Sequence, residues 1–296
     1  VGTLKPILAE KHKGTFEPPI KWQRDFPEAH QDACPMVVGR YFRGVANGPS
    51  PKWVRDRLIA IGLRPISALV DITNLVTFDL CRPLHVFDAD KVSGDLTMRF
   101  ARDGEKILAL DGREYTLDDG MSVIADANGV HGIGGIMGGE DTGCTEETTN
   151  VFLEVALFDP IRTATTGRRL GIESDARYRF ERGIDPESAY WGAEVATRLI
   201  LEFCGGEASE LTIAGEMPDW ARPVSLRPER LKSFGGVDVE TEEALSILDR
   251  LGFKPEQDNG LIKATTPSWR ADVSTEYCLI EEVLRIKGFD EIPAVP

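Results

Sequence analysis

The sequence predicts an α+β protein in two parts, a larger mixed-sheet domain with flanking helices and a smaller α+β domain. Three observations carry that reading. The 296 residues exceed what one domain usually holds, roughly 100–200. Short β-type runs and amphipathic helical stretches are interspersed over the first two thirds of the chain. The stretch Glu216–Pro223, with Pro218, Trp220 and Pro223, then separates them from a second helix–strand pattern. The divisions are 1–36, a polar, Pro-bearing linker from a preceding domain; 37–213, the larger domain; 214–223, a linker; and 224–296, the smaller domain. The ends, Val1 and Ile292-Pro293-Ala294-Val295-Pro296, suggest a piece of a longer polypeptide.

Each element has a local reason. Ser50-Pro51 opens a helix that Gly62 closes, with Val54, Leu58 and Ile61 on one face. Leu69-Val70-Asp71-Ile72 is a short apolar run and reads as a strand. Ile107–Leu110 and Arg113–Leu117 flank Asp111-Gly112, a hairpin signal for a type I′ turn. Val123-Ile124-Ala125 continues the β character. Asp159-Pro160 and Asp185-Pro186 open helices, and Gly205-Gly206 ends the second. Beyond the linker, Thr241 caps a helix stopped at Gly252, Leu261–Thr265 is a strand, and Ser274 opens a helix ending at Gly288.

Composition narrows the function. With 42% hydrophobic and 28% charged residues, the chain is neither disordered nor fibrous. No apolar run approaches the roughly 18 residues of a membrane span, so a cytoplasmic protein is expected. A net charge of −15 argues against nucleic-acid binding by the surface as a whole. Two basic islands stand out against it: Arg40, Arg43, Lys52, Arg55, Arg57 and Arg64 with only Asp56, and six arginines against three acids from Ile161 to Arg182. They fit either a polyanion partner or an ion-paired helix face. Five widely spaced cysteines without a CxxC exclude a zinc ribbon or a disulfide framework.

The chemistry-bearing motifs each leave two readings. Gly132–Gly139 lacks the Lys-Ser/Thr of a P-loop, and Met137 stands where GxGxxG needs its third glycine. Glycines there either form a tight turn or let a ligand approach a pocket wall. His85 in Pro83-Leu84-His85-Val86-Phe87-Asp88 is either a packed core histidine or a site residue, and no GxSxG accompanies it. Glu154 lies inside the apolar run Phe152–Phe158, so it either faces solvent on an edge strand or is held for a purpose. Asp272, Glu276, Glu281 and Glu282 offer oxygen ligands for a cation such as Mg2+, or a charged outer face.

Taken together these segments resemble the β subunits of bacterial phenylalanyl-tRNA synthetases. The carrying residues are Asp71-Ile72-Thr73-Asn74, Pro83–Asp88, Gly135–Gly139, Leu153-Glu154, Ser174-Asp175-Ala176 and Arg179–Pro186, then Pro267–Arg270 and Ile280–Val283. The resemblance covers nearly the whole chain, in order. It implies that the larger domain is a tRNA-editing domain, hydrolysing tyrosine wrongly esterified to tRNA(Phe). It implies Glu154 as the reader of the tyrosine hydroxyl and His85 as the histidine near the ester. Thr73 and Asn74 would line that site, Gly138 would form a wall, and Ser174 and Ala176 would shape the floor. Ser174 keeps the hydroxyl of the family's threonine and loses its methyl. Arg168, Arg169 and Arg179 are the candidate tRNA contacts.

The smaller domain would contact the catalytic α subunit, which belongs with β in a heterotetramer. Its Asp272, Glu281 and Glu282 match magnesium-linked positions, whereas Cys278 stands at the fourth as a soft ligand. ATP and the synthetic site belong to the whole ligase and not to this chain. The implied partners are the tRNA(Phe) acceptor end and the α subunit, without membrane or DNA. A non-catalytic module binding tRNA or the α subunit is the alternative.

Overall fold

A computed structural model describes residues 9–293, and the chain divides into two compact units, Val1–Pro218 and Asp219–Pro296. The division falls inside the stretch 214–223. Among the described residues all five cysteines are free thiols, and no helix is long and apolar enough to cross a membrane.

The first unit opens with β1 (Trp22–Asp25) and β2 (Met36–Arg43). This corrects the linker expected over 1–36, of which 1–8 lie outside the described residues. Ile20, Trp22, Phe26, Ala33 and Cys34 are buried, so the prolines punctuate a folded segment. Helices α1 (Lys52–Ala60) and α2 (Ala68–Leu80) follow. The strand expected at Leu69–Ile72 is the first turn of α2. Four apolar residues define no period; the longer series Ala68, Leu69, Ile72, Leu75 and Val76, all buried, has the helical spacing.

Next come β3 (His85–Asp88) and β4 (Leu96–Phe100), then the hairpin β5 (Lys106–Leu108) and β6 (Glu114–Thr116). Its turn is not type I′. Only Gly112 has positive φ (76°), and the Ala109 amide donates to the Arg113 carbonyl, the geometry of a glycine bulge after a tight turn. The unit continues with β7 (Ser122–Ala125), β8 (Val130–Ile133), β9 (Met137–Gly138) and β10 (Asn150–Ala156). It ends with α3 (Pro160–Leu170), α4 (Asp175–Phe180), α5 (Ser188–Cys204) and β11 (Glu207–Gly215).

Two sheets organise these elements. One is antiparallel, in the order β11-β2-β10-β3; the other is mixed, in the order β1-β4-β7-β8-β9, with β1 and β4 parallel. Strand β10 shows how period-2 alternation divides the core. Val151, Leu153 and Val155 join the cluster formed with α1, α2 and α5, while Phe152 and Ala156 join an aromatic cluster with Trp22, Phe87, Phe158 and Phe180. Glu154 takes its place in the second set, on the same face as Phe152 and Ala156.

The second unit is β12 (Pro223–Leu226), α6 (Glu229–Ser233), α7 (Thr241–Arg250), β13 (Lys254–Asp258), β14 (Leu261–Thr265) and α8 (Glu276–Lys287). Its antiparallel sheet, β12-β14-β13, shares one apolar core with the helices. The proposed magnesium ligands do not assemble. Arg270 binds both oxygens of Asp272 at 2.8 Å and one oxygen of Glu282 at 2.9 Å, so a guanidinium already neutralises these carboxylates. Glu281 is exposed while Glu282 is buried, and Cys278 contacts the Thr275 hydroxyl at 3.2 Å. No group of three or more His, Cys, Asp or Glu side chains is arranged for a metal among the described residues. Mg2+ and EDTA should therefore leave the thermal unfolding of this unit unchanged; a magnesium-dependent rise in Tm would restore the metal reading.

Candidate functional site

A cavity of about 210 Å³ opens beside the antiparallel sheet, and His85, Gly138, Glu154, Ser174 and Ala176 all line it. Its walls also include Pro83, Leu84, Leu110, Ile136 and Phe180. A dry aliphatic cavity of about 150 Å³ takes benzene, so this one has room for a phenol ring.

Register brings its two polar groups together. Glu154 on β10 pairs directly with His85 on β3, so the side chains point to one face with Cβ atoms about 5 Å apart. Glu154 is 7% exposed. Burial raises its carboxyl to about 7, against the lowering influence of the nearby Arg82 guanidinium. It is therefore not the fully ionised group that its residue type suggested; near neutrality it is shared between charged and neutral forms. Burial pushes His85 the other way, down to about 4, which keeps the imidazole neutral. His85 Nε2 has no hydrogen-bond partner among the described residues. Its ring packs edge-on to Phe87 at 4.6 Å between centroids.

The glycine run resolves into both of its readings at once. Gly134 and Gly135 turn β8 into β9, with Gly135 at φ 69°, and Gly138 faces the cavity. A Cβ on Gly138 would lie 2.5 Å from His85 Cε1 and 2.8 Å from Nε2. Only a glycine lets this wall meet the histidine edge. Ser174 caps α4: its hydroxyl accepts from the Arg177 amide at 3.0 Å and donates to the Ile136 carbonyl at 2.7 Å. It thereby ties the floor of the cavity to the β8–β9 turn, a task the missing methyl of threonine does not affect.

Thr73 and Asn74 are not in this cavity. Both lie on α2, where the Thr73 hydroxyl donates to the Val70 carbonyl at 2.7 Å. Conversely, Leu110 was not expected there. It sits in the β5–β6 turn, and its amide donates to the Gly138 carbonyl at 3.0 Å. A leucine directly before the Asp111-Gly112 turn is the one sequence signal that marked it.

The basic islands are largely paired. Arg40 is buried against Glu194 at 3.1 Å, Arg43 meets Glu207 at 2.6 Å, and Lys52 meets Asp56 at 2.6 Å. Arg169 meets Asp118 at 2.8 Å, and Arg179 meets Asp175 at 3.2 Å with its guanidinium over Phe78. Arg168 is exposed and makes no ion pair among the described residues.

Fold and cavity define a chain whose larger unit matches the family described as the B3/4 domain, over residues 33–205. Residues 224–289 match the tRNA synthetase B5 domain. Relatives named "Phenylalanine--tRNA ligase beta subunit" are 56% identical in Paramagnetospirillum magneticum, over 100% of this chain and 37% of the relative. The Rhodospirillum rubrum protein of the same name is 60% identical over 96% of this chain and 36% of its own length. The one from Mesorhizobium japonicum is 55% identical over 100% and 36% respectively. The chain belongs to the B3/4-domain family. It spans a little over one third of the length of the relatives it matches. An N-terminal fragment of the phenylalanyl-tRNA synthetase β subunit from Pyrococcus horikoshii is 16% identical over 93% of this chain and 77% of that one, with a TM-score of 0.41, too low to establish a shared fold.

Proposed function

We propose that this chain is the editing part of a cytoplasmic phenylalanine--tRNA ligase, hydrolysing tyrosyl-tRNA(Phe). One observation carries the reading: an apolar cavity of phenol size has a buried carboxylate, Glu154, and beside it a neutral histidine, His85. A hydrophobic synthetic pocket rejects an analogue that merely adds a hydroxyl by only about a hundredfold. A second site that accepts the extra O–H selects the error instead, since phenylalanine leaves the carboxylate unpaired at a cost of about 1–3 kcal/mol.

In the reaction, water adds its oxygen to the tyrosyl carbonyl carbon, the bond to the ribose oxygen breaks, and that oxygen takes the proton. Glu154 accepts the phenol hydrogen bond and His85 orients the ester, with Gly138 and the Ser174–Ala176 floor confining the ring. This is catalysis by positioning, without a covalent intermediate. Thr73 and Asn74, outside the cavity, would act only toward the tRNA end. The catalytic α subunit and ATP would serve the whole enzyme.

The test is release of tyrosine from tyrosyl-tRNA(Phe) by the purified chain. Binding of that tRNA without release of tyrosine would favour the non-catalytic module. Arg168→Ala should weaken tRNA binding uniformly and reduce the slope of log affinity against log salt by about 0.9. Arg169→Ala should do less, because Asp118 already holds that side chain. Equal effects would refute this ranking of the tRNA contacts.

A further inference from the structure

Behind the cavity lies a charge that the proposed chemistry does not use. Arg82, between α2 and β3, is fully buried. Its Nη2 donates to the carbonyl of Ala156, two residues beyond Glu154 on β10, while Nε and Nη1 have no partner among the described residues. Its guanidinium carbon lies 5.7 Å from the ring of Phe180, which lines the cavity. Room for the side chain comes from Gly192, in the middle of α5: a Cβ there would lie 2.9 Å from Arg82 Cγ. A glycine inside a 17-residue helix costs about 1 kcal/mol relative to alanine, so the space has a thermodynamic cost.

We propose that Arg82 is a positioning residue of the pocket, its buried guanidinium behind the wall favouring Glu154 as the hydrogen-bond acceptor and thereby setting the preference for the tyrosyl over the phenylalanyl ester. The inference rests on the editing reading for its consequence and on the buried geometry for its cause. A carboxylate in an apolar wall would otherwise stay protonated well above neutrality, and a neutral carboxyl is a weaker acceptor.

The charged and titratable groups around the pair are few. Glu154 pairs with the neutral His85 of β3 and feels the Arg82 guanidinium across space, without a hydrogen bond or ion pair to it among the described residues. Both Glu154 and Arg82 also act on the Cys34 thiol, which burial pushes up to about 12 and Arg24 lowers. Arg82 feels Glu154, Asp185 and the same thiol, and burial lowers it to about 10, so it remains charged at neutral pH. A guanidinium suits the position because it stays protonated there and spans two walls, where an ammonium would cover one.

The experiment compares the full chain with Arg82→Gln, Arg82→Lys and Glu154→Gln. Glu154 is followed by carboxyl-carbon NMR, its signal assigned by loss in Glu154→Gln, and both esters are assayed from pH 5.5 to 9. In Arg82→Gln the Glu154 titration should move up by about one pH unit or more, and the pH at which tyrosyl selectivity rises should move with it. Arg82→Lys, a shorter cation, should move both only partway, and the phenylalanyl ester should hardly respond. Should Arg82→Gln fail to fold, Arg82→Lys against wild type still tests the idea, since a shorter cation should shift the midpoint partway. An unmoved Glu154 titration in every folded variant would overturn the proposal. A moved titration without tyrosyl hydrolysis in wild type would instead sink the editing reading and leave the Arg82–Glu154 coupling standing.

Discussion

Glu154→Ala is expected to slow hydrolysis of the tyrosyl ester about ten- to a hundredfold in kcat/KM while changing the phenylalanyl ester little. The lost contact is a hydrogen bond to a charged group, worth roughly 1.5–3 kcal/mol. Phenylalanine makes no such contact, so the selectivity falls from the tyrosine side alone. Glu154→Gln is the cleaner variant, keeping size and losing only charge, with an expected loss of about tenfold on the tyrosyl ester. His85→Ala should slow both esters alike, because the ester is common to them. Deacylation of both charged tRNAs by the three variants decides the matter; equal slowing of both esters in Glu154→Gln would mean that Glu154 does not read the hydroxyl.

The second large effect is on stability. Folding lowers His85 from the ordinary 6.5 to about 4, so the unfolded chain binds the extra proton between those values. Its contribution to stability therefore rises as pH increases from about 4 to 6.5. Glu154 does the reverse. Folding raises it from 4.5 to about 7, the folded chain holds the extra proton, and stability falls as pH increases through that window. Each limb amounts to up to about 3 kcal/mol, and between pH 4.5 and 6.5 the two oppose each other. Glu154→Gln should therefore gain on wild type as pH rises toward 7, and His85→Gln should gain on it as pH falls toward 4. Urea unfolding of the first unit from pH 4 to 8 measures both differences, and variants that track wild type throughout would show that neither group is held in the form assigned to it.

Much of this site was legible before the structure because its residues carry local signals. His85 and Glu154 stood out as polar groups inside apolar runs, and Gly138 as part of a glycine run that matched no phosphate loop. What those residues do to each other was not legible. His85 and Glu154 are separated by 69 positions and become neighbours only through the register of β3 and β10. Thr73 and Asn74 were assigned to the site by the resemblance alone, and they lie on α2 outside this cavity. Separately, the four-residue apolar run before them could not tell strand from helix, and the later turns of α2 decided it. The magnesium set failed for a related reason. Spacing on α8 brings Glu281 and Glu282 together in sequence, but adjacent helical positions point some 100° apart, and Arg270 reaches one of them first.

By itself, the sequence showed several of the helices and strands, the break between the two units, and residue types available to a pocket: apolar side chains, one histidine, one carboxylate and a run of glycines. Those follow from periodicity and punctuation, which act over a few residues. Tertiary structure alone decided which of them meet, how deeply they are buried, and hence their charge. Long-range strand pairing sets the Glu154–His85 contact, desolvation moves their protonation in opposite directions, and packing places Arg82 behind them. None of these forces has a range along the chain, because each depends on what lies across space.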